Sequence, residues 1–296
     1  MSPADREGMR IALLIPLAAT LGLAGVFANA REAEATVIAH EGFAYAYGEL
    51  DGQTGGFGFG SAWTANTGLT EVANPGTPLT YAGGSQPLSG GSAALRITGN
   101  ANNLAFRSLA DPVLGDEVFL SFLFRYDGVL DNNDFAVLWH DNVSTGSHTN
   151  RPNLGIKGNR GDGSGPEDVV ARLQLSGSGQ VYAVDLNAGE TYFILGRLHK
   201  STPGSGDDYD RFDVWVNPTA GASGTPDLTA SGTGAISSFD TVGLRTANID
   251  GLDSFWIDEI RYSTNFVSAT VPEPSTAVFL GVGLVALSCG RPRRRP

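Results

Sequence analysis

The sequence predicts an all-β protein built as a sandwich of two antiparallel sheets, and three observations support this prediction. The chain of 296 residues contains 40 glycines, together with many Ser, Thr, Asn and Asp residues, which favour turns. Short stretches of apolar residues alternate with these turn clusters at strand-like spacing. Between the two termini, no stretch of helical length shows the 3.6-residue period of an amphipathic helix. Strands of this length and spacing are typical of β-sandwiches.

The N-terminal segment has the layout of a secretory signal peptide. Arg6 and Arg10 precede an apolar run, and Ala28 and Ala30 form an A-x-A cleavage site at its end. We therefore predict that residues 1–30 are removed on export. The alternative, an uncleaved anchor, fits less well because a proline and two glycines interrupt the apolar run.

The body, residues 31–268, is predicted to be one domain that is stabilised by its apolar core alone. The only cysteine, Cys289, lies in the C-terminal tail, so the body contains no disulfide. The whole chain has a formal net charge of −12, and the body is more acidic still because the tail carries four arginines. Such a charge repels nucleic acid and anionic lipid, and we expect neither as a partner.

One stretch of the body stands out as a central strand. In residues 118–126 one face carries five apolar or aromatic side chains, and two of the four residues on the other face are apolar as well. This near-continuous apolarity predicts a strand that is covered on both sides. Further strands are predicted over residues 134–140, 192–199, 209–216, 236–246 and 254–262, separated by polar loops.

Two stretches at the ends of the body make the fold more definite. Residues 41–64 read EGFAYAYGELDGQTGGFGFGSAWT, and residues 255–263 read FWIDEIRYS. This pairing resembles a family of secreted bacterial jelly-roll domains of the concanavalin-like, laminin-G-like lectin and glucanase type, in outline over residues 39–266. The resemblance implies a jelly roll whose first and last strands pair in one sheet. It implies a fold more than an activity.

The C-terminal tail, residues 269–296, has three parts. Two prolines disfavour helix in a hinge, and residues 276–290 carry no charge. A 15-residue helix covers about 22 Å, less than the ~30 Å hydrocarbon core, so a permanent span would be marginal. Arginines after the run would stay on the cytoplasmic side. The residues concerned are Val271, Pro272, Glu273, Pro274 and Ser275 in the hinge and Arg291, Arg293, Arg294 and Arg295 at the end.

This tail resembles the PEP-CTERM sorting signal of proteins exported by Gram-negative bacteria, with Pro272, Glu273 and Pro274 matching its three-letter signature. The resemblance implies export, transient anchoring in the inner membrane, and processing near the motif by an exosortase-type enzyme. It further implies a final location at the cell surface or outside the cell. A plain C-terminal helix or tail anchor is the alternative.

The sequence shows no recognisable catalytic motif. Laminarinase-like glucanases carry three carboxylates on one face of a strand, but here Glu49 and Asp51 lead into a turn at Gly52. Asp258 and Glu259 are adjacent, so a regular strand would send them to opposite faces. We therefore expect a protein without enzymatic activity. No zinc spacing or G-x-S-x-G elbow is found either, and the four histidines are scattered at His40, His140, His148 and His199.

One predicted strand carries a candidate glycan site. Within residues 211–216, alternation places Arg211, Asp213 and Trp215 on one face and apolar side chains on the other. A tryptophan ring is a common platform for the face of a sugar. The alternative is that Trp215 packs against the outside of the sandwich.

Two acidic loops are candidates for calcium binding, and no other cofactor is expected. Asp131, Asn133 and Asp134 offer hard oxygen ligands. The alternative is an ordinary turn, because Asp and Asn favour turns through their own side-chain hydrogen bonds. Residues 207–210 have the same two interpretations.

We therefore expect an exported surface or extracellular-matrix protein that binds extracellular polysaccharide through its jelly roll. A divergent polysaccharide hydrolase or lyase with unplaced carboxylates is the alternative. A purely structural role in the matrix is a third function.

Overall fold

The structure is a computed structural model that describes residues 36–83, 87–130, 133–158, 169–175, 177–219, 224–232 and 236–270. The strands in these ranges are β1 Val37–Glu41, β2 Gly48–Glu49, β3 Thr64–Ala65, β4 Thr70–Ala73, β5 Thr80–Tyr81, β6 Leu88–Ser89, β7 Ala94–Ile97, β8 Ala105–Val113, β9 Glu117–Asp127, β10 Phe135–Asp141, β11 Asn153–Lys157, β12 Val169–Arg172, β13 Gln180–Ala183, β14 Tyr192–His199, β15 Arg211–Val216, β16 Leu228–Ser231, β17 Phe239–Ala247 and β18 Ser254–Ser263. A 3-10 turn, Gly177–Gly179, precedes β13, and a short helix, α1 Phe266–Thr270, follows β18.

Two antiparallel sheets form the sandwich, which confirms the predicted fold class. The larger sheet has the order β16-β15-β14-β9-β18-β7-β4-β2, with β1 added beside β18. The smaller sheet has the order β13-β12-β11-β10-β17-β8-β3, and β5 and β6 form a separate hairpin. The main core lies between the two sheets, where Phe122 and Phe124 of the larger sheet and Leu138 and Leu244 of the smaller sheet belong to one apolar cluster.

The first and last strands pair, as the resemblance of the two end stretches implies. Val37 lies opposite Ser263, and Glu41 lies opposite Ile260. β18 also pairs with β9 and β7, so the last strand is central in the larger sheet. The last strand therefore joins the first strand to the centre of the larger sheet.

β9 is the central strand that its apolarity predicts. Its residues 118–126 are all buried, between β14 on one side and β18 on the other. Leu120 and Phe122 face the main core, whereas Phe119 and Leu123 lie in a second apolar cluster on the outer face of the larger sheet. The strand carries apolar side chains on both faces because both faces are covered.

The outer face of the larger sheet is covered by the β5–β6 hairpin and by α1. The cluster beneath them includes Leu79 of the region before β5, Trp215 of β15 and Ala269 of α1. α1 begins with a side-chain cap, since the Ser268 amide donates to Asn265 Oδ1 over 2.9 Å. Among the described residues, no helix has the length and apolarity to cross a membrane.

Several predictions concern residues that the structure does not describe. The predicted signal peptide with Ala28 and Ala30, the sorting residues of 271–275 and 291–295, and the uncharged segment between them all lie outside the described ranges. Asp131 of the calcium candidate lies outside them as well.

Candidate functional site

The predicted glycan residues share one face of β15, but the indole of Trp215 is covered. Trp215 is 8% exposed and belongs to the outer apolar cluster. Its ring lies edge-on to Phe266 of α1 with centroids 5.8 Å apart, and its Nε1 donates to the Gly224 carbonyl over 2.8 Å. Trp215 therefore has the packing role, not the open face that a sugar platform needs. The sequence left packing open as the alternative, because the covering helix begins 51 positions further along the chain.

The polar members of this face contact protein groups. Asp213 accepts hydrogen bonds from His199 over 2.9 Å and from Thr229 over 2.7 Å. Burial raises the pKa of Asp213, but these hydrogen bonds outweigh burial, so its pKa lies below the ordinary value. Arg211 is exposed. Glycan binding by Arg211 and Asp213 stays a prediction.

The described part of the first calcium candidate has turn geometry. Asn133 adopts a left-handed φ of 63°, which asparagine tolerates in turns. Asp134 is 1% exposed and directly precedes β10. In the part of the chain that the structure describes, no group of three or more His, Cys, Asp or Glu residues is arranged to hold a metal ion.

The two stretches that define the ends of the body meet at a cleft of about 630 Å³. At its floor Glu41, 1% exposed, accepts four hydrogen bonds. The donors are the Phe43 amide at 2.9 Å, the Tyr45 hydroxyl at 2.5 Å, the Trp63 indole at 3.0 Å and Arg107 at 2.7 Å. Glu41 therefore links the glycine-rich N-terminal stretch to β8 through hydrogen bonds. This role explains why a glutamate, a tyrosine and a tryptophan occur in the same stretch.

Asp258 and Glu259 lie on the same face, contrary to the expectation from a regular strand. Glu259 has a positive φ of 54°, and the register of β18 shifts between Asp258 and Arg261. Ile257 and Ile260, on either side, both belong to the main core, so the bulge turns both carboxylates outward. The expectation of opposite faces holds for an unbroken period of two, and the bulge adds one residue to that period.

The environments of these two carboxylates differ. Burial and the charge of Glu259 raise the pKa of Asp258 to about 8. Burial also acts to raise the pKa of Glu259, but the hydrogen bond and charge of His40 and the charge of Arg261 lower it overall. Two neighbouring carboxyl groups whose pKa values are shifted in opposite directions often act as the general acid and the general base of an enzyme. Here, however, Asp258 is fully buried, and Glu259 is engaged by His40 at 3.0 Å and by Arg261 at 2.5 Å.

A different surface, on the outer face of the smaller sheet, concentrates positive charge. The guanidinium groups of Arg172 and Arg245 lie 5.2 Å and 5.4 Å from the ring centroid of Phe135. The Lys157 ammonium lies 5.8 Å from the ring of Tyr182. We call Phe135, Lys157, Arg172, Tyr182 and Arg245 the basic face. It borders a groove of about 340 Å³, which Asn133, Thr149, Leu175, Ala247 and Asn248 also line.

Strand register brings the basic face together. Phe135 on β10 lies between Lys157 on β11 and Ala247 on β17, and Arg245 lies two residues before Ala247 on the same face of β17. Arg172 is added by β12, the next strand in the sheet. The three cations come from three different strands, β11, β12 and β17, so no local motif predicts that they meet.

The two arginines of the basic face lack an acidic partner among the described residues. Burial lowers the pKa of both guanidinium groups, and the charge of Arg245 lowers that of Arg172 further. Arg172 is only 4% exposed, and its Nε has no hydrogen-bond partner among these residues. Six other arginines form ion pairs with carboxylates, namely Arg96, Arg107, Arg125, Arg151, Arg197 and Arg261.

The same outer face continues along β10 to Trp139. The imidazole of His148 stacks on its indole, with centroids 3.6 Å apart and planes 3° from parallel. Asp141 and Asn103 hold the two ring nitrogens of His148 at 3.0 Å and 2.7 Å. Along this strand, aromatic side chains therefore form a floor on which nitrogen-containing groups stack.

Comparison with known families supports the interpretation of the tail. Residues 270–295 match the family model described as the PEP-CTERM protein-sorting motif. This confirms the resemblance seen in the sequence. The motif indicates an exported protein that is sorted by an exosortase through a membrane-anchored intermediate. No curated protein matches the chain.

Several solved structures have a similar fold. Alginate lyase Aly36B with alginate tetrasaccharide is 13% identical, with 76% of this chain and 96% of that chain covered and a TM-score of 0.46. A carbohydrate esterase of Shiga toxin-encoding bacteriophage phi24B is 14% identical, with 78% and 100% covered and a TM-score of 0.46. The VIP36 exoplasmic/lumenal domain, with Ca²⁺ and Man3GlcNAc bound, is 13% identical, with 67% and 87% covered and a TM-score of 0.40. These similarities concern the jelly-roll fold alone.

Proposed function

We propose that this exported protein binds an acidic polysaccharide outside the cell through the basic face, and that it acts by binding and not by catalysis. The observation that carries the proposal is the pair Arg172 and Arg245. Both guanidinium groups lie over the ring of Phe135, and no carboxylate of the described residues pairs with either of them. In a chain with a net charge of −12, two neighbouring arginines without a described carboxylate partner favour an anionic ligand.

The chemistry of the basic face suits a sugar carboxylate. A guanidinium group presents a planar fork of donors that matches a carboxylate, and its position on an aromatic ring keeps that plane fixed. The groove of about 340 Å³ beside it has a mainly apolar lining, which suits the apolar face of a sugar ring. Guanidinium charge and an apolar contact surface together favour an acidic sugar over a simple ion.

A polysaccharide is preferred over nucleic acid because of the overall charge. The acidic body repels any polyanion, and the repulsion grows with the charge density of the ligand. Duplex DNA carries one charge per about 1.7 Å. A polymer with at most one carboxylate per sugar unit is repelled less, so local pairing with the basic face can outweigh the general repulsion.

The test is affinity for polygalacturonate and for neutral dextran, measured by calorimetry on the processed, exported protein. We expect binding to polygalacturonate alone, weakening as salt is added, and a loss of tenfold or more for Arg245→Gln. The comparison variant is Arg211→Gln, which changes the exposed arginine of the alternative glycan site on the other sheet. If the basic face is the binding site, this variant should leave the affinity unchanged. Equal binding to dextran, or a larger loss for Arg211→Gln, would contradict the proposal. New reducing ends or unsaturated sugars in the mixture would support the enzymatic alternative instead.

A further inference from the structure

The described chain ends on the outer face of the larger sheet, which fixes where the sorting motif leaves the body. α1 lies over β9, where the Ser121 hydroxyl donates to the Ala269 carbonyl over 2.8 Å. Ala269 is fully buried, and Phe266 packs edge-on against Phe119 with centroids 6.3 Å apart. Thr270, the next residue, is 8% exposed. The exit point is therefore held near the middle of β9.

Only a short tether separates this exit point from the uncharged segment of the tail. Residues 271–275 form the tether, and the uncharged run begins at residue 276. Five residues span at most about 17 Å when fully extended. This length is the greatest distance that can separate Thr270 from the membrane surface while the uncharged segment is inserted.

A longer tether would be needed to turn the basic face toward the membrane. From Ser121 the nearer end of β9, Glu117, is four residues away, which is about 13 Å at 3.3 Å per residue. The smaller sheet lies about 10 Å beyond the larger one, so the path around the body is about 23 Å even without side chains. Leaving by the side edge is no shorter, because β14, β15 and β16 separate β9 from that edge by about 14 Å.

We propose that, while the sorting motif is intact, the outer face of the larger sheet is held close to the inner membrane and the basic face is unable to turn toward it. The proposal does not depend on polysaccharide binding, because it rests only on the exit point and the tether length. Attraction to lipid is not the cause, since the acidic body is repelled by anionic headgroups. A polymer that binds the basic face can therefore be captured before the protein is released.

The test uses the full, unprocessed chain in phosphatidylcholine vesicles that contain a lipid with a short-range quencher on its headgroup. In a Cys289→Ser background, single cysteines for a fluorophore are introduced by Val267→Cys on α1 and Leu175→Cys beside the groove of the basic face. The two positions are matched, with 58% and 52% exposure. We expect severalfold stronger quenching at position 267. Equal quenching, or stronger quenching at position 175, would overturn the proposal.

A second version of the protein tests whether the tether is the cause. Twenty Gly and Ser residues inserted after Thr270 lengthen the tether to 25 residues, with an average reach of about 27 Å. The difference in quenching between the two positions should then largely disappear. A difference that persists would show that the sheet face itself adheres to lipid, and the tether explanation would be wrong. All changes are at exposed positions or outside the described body, and thermal unfolding checks that the body is intact.

Discussion

Replacing Trp215 by alanine tests whether this side chain packs the outer face of the larger sheet or binds sugar. The indole is 8% exposed and lies among Phe119, Phe193 and Phe266 of the outer cluster. Removing a buried tryptophan costs about 3–5 kcal/mol. For a domain of this size each kcal/mol lowers the melting temperature by about 2–4 °C, so we expect a fall of roughly 10 °C.

The assay is thermal unfolding followed by near-ultraviolet circular dichroism and by calorimetry. Arg211→Ala is the control, because it changes an exposed side chain of the same strand and should cost less than about 0.5 kcal/mol. A second measurement compares the affinity of the folded Trp215→Ala protein for polygalacturonate, at a temperature below its unfolding transition, with the affinity of the unsubstituted protein. We expect the two affinities to be equal. A nearly unaltered melting temperature together with weakened binding would refute the packing role and restore the sugar platform.

Three further predictions concern the end motifs and the carboxylates. Glu41→Gln should lower the free energy of unfolding by about 3–5 kcal/mol, because it leaves Arg107 buried without its charge partner. Glu71→Gln is the control: it breaks the exposed pair with Arg96 and should lower the free energy of unfolding by less than about 1 kcal/mol. Both values are measured by urea unfolding. Asp258 has its pKa raised from 3.8 to about 8, so the folded state holds the extra proton and stability should fall as pH rises from 6.5 to 8. Asp258→Asn should remove that slope in urea midpoints, and an unchanged slope would assign it to other groups. Mass spectrometry of the exported protein should find an N-terminus near Arg31 and no residue beyond the 272–275 region, and an intact C-terminal arginine cluster would contradict both cleavages.

The sequence by itself determined the strands with strong local patterns and the sorting motif. The predicted strand over residues 192–199 coincides with β14, and the predicted central strand over 118–126 lies within β9, one residue shorter at each end. Both have an apolar period that local alternation reveals. The sorting motif was equally visible, because a sorting enzyme reads a continuous stretch of chain. Strands such as β7 and β12 were missed, since four residues carry too little periodicity to be distinguished from a loop.

Only the tertiary structure decided which surfaces are open and which charges meet. Alternation placed Trp215 on the outer face of its strand, but the helix that covers it begins 51 positions later. The bulge at Glu259 reversed the expected direction of a carboxylate, because one added residue breaks the period of two. The basic face depends on the register between strands of the smaller sheet, where Phe135, Arg172 and Arg245 meet only after β10, β12 and β17 have joined that sheet. Local patterns determine the direction of a side chain within a strand, whereas its neighbours across the sheet depend on long-range pairing and packing.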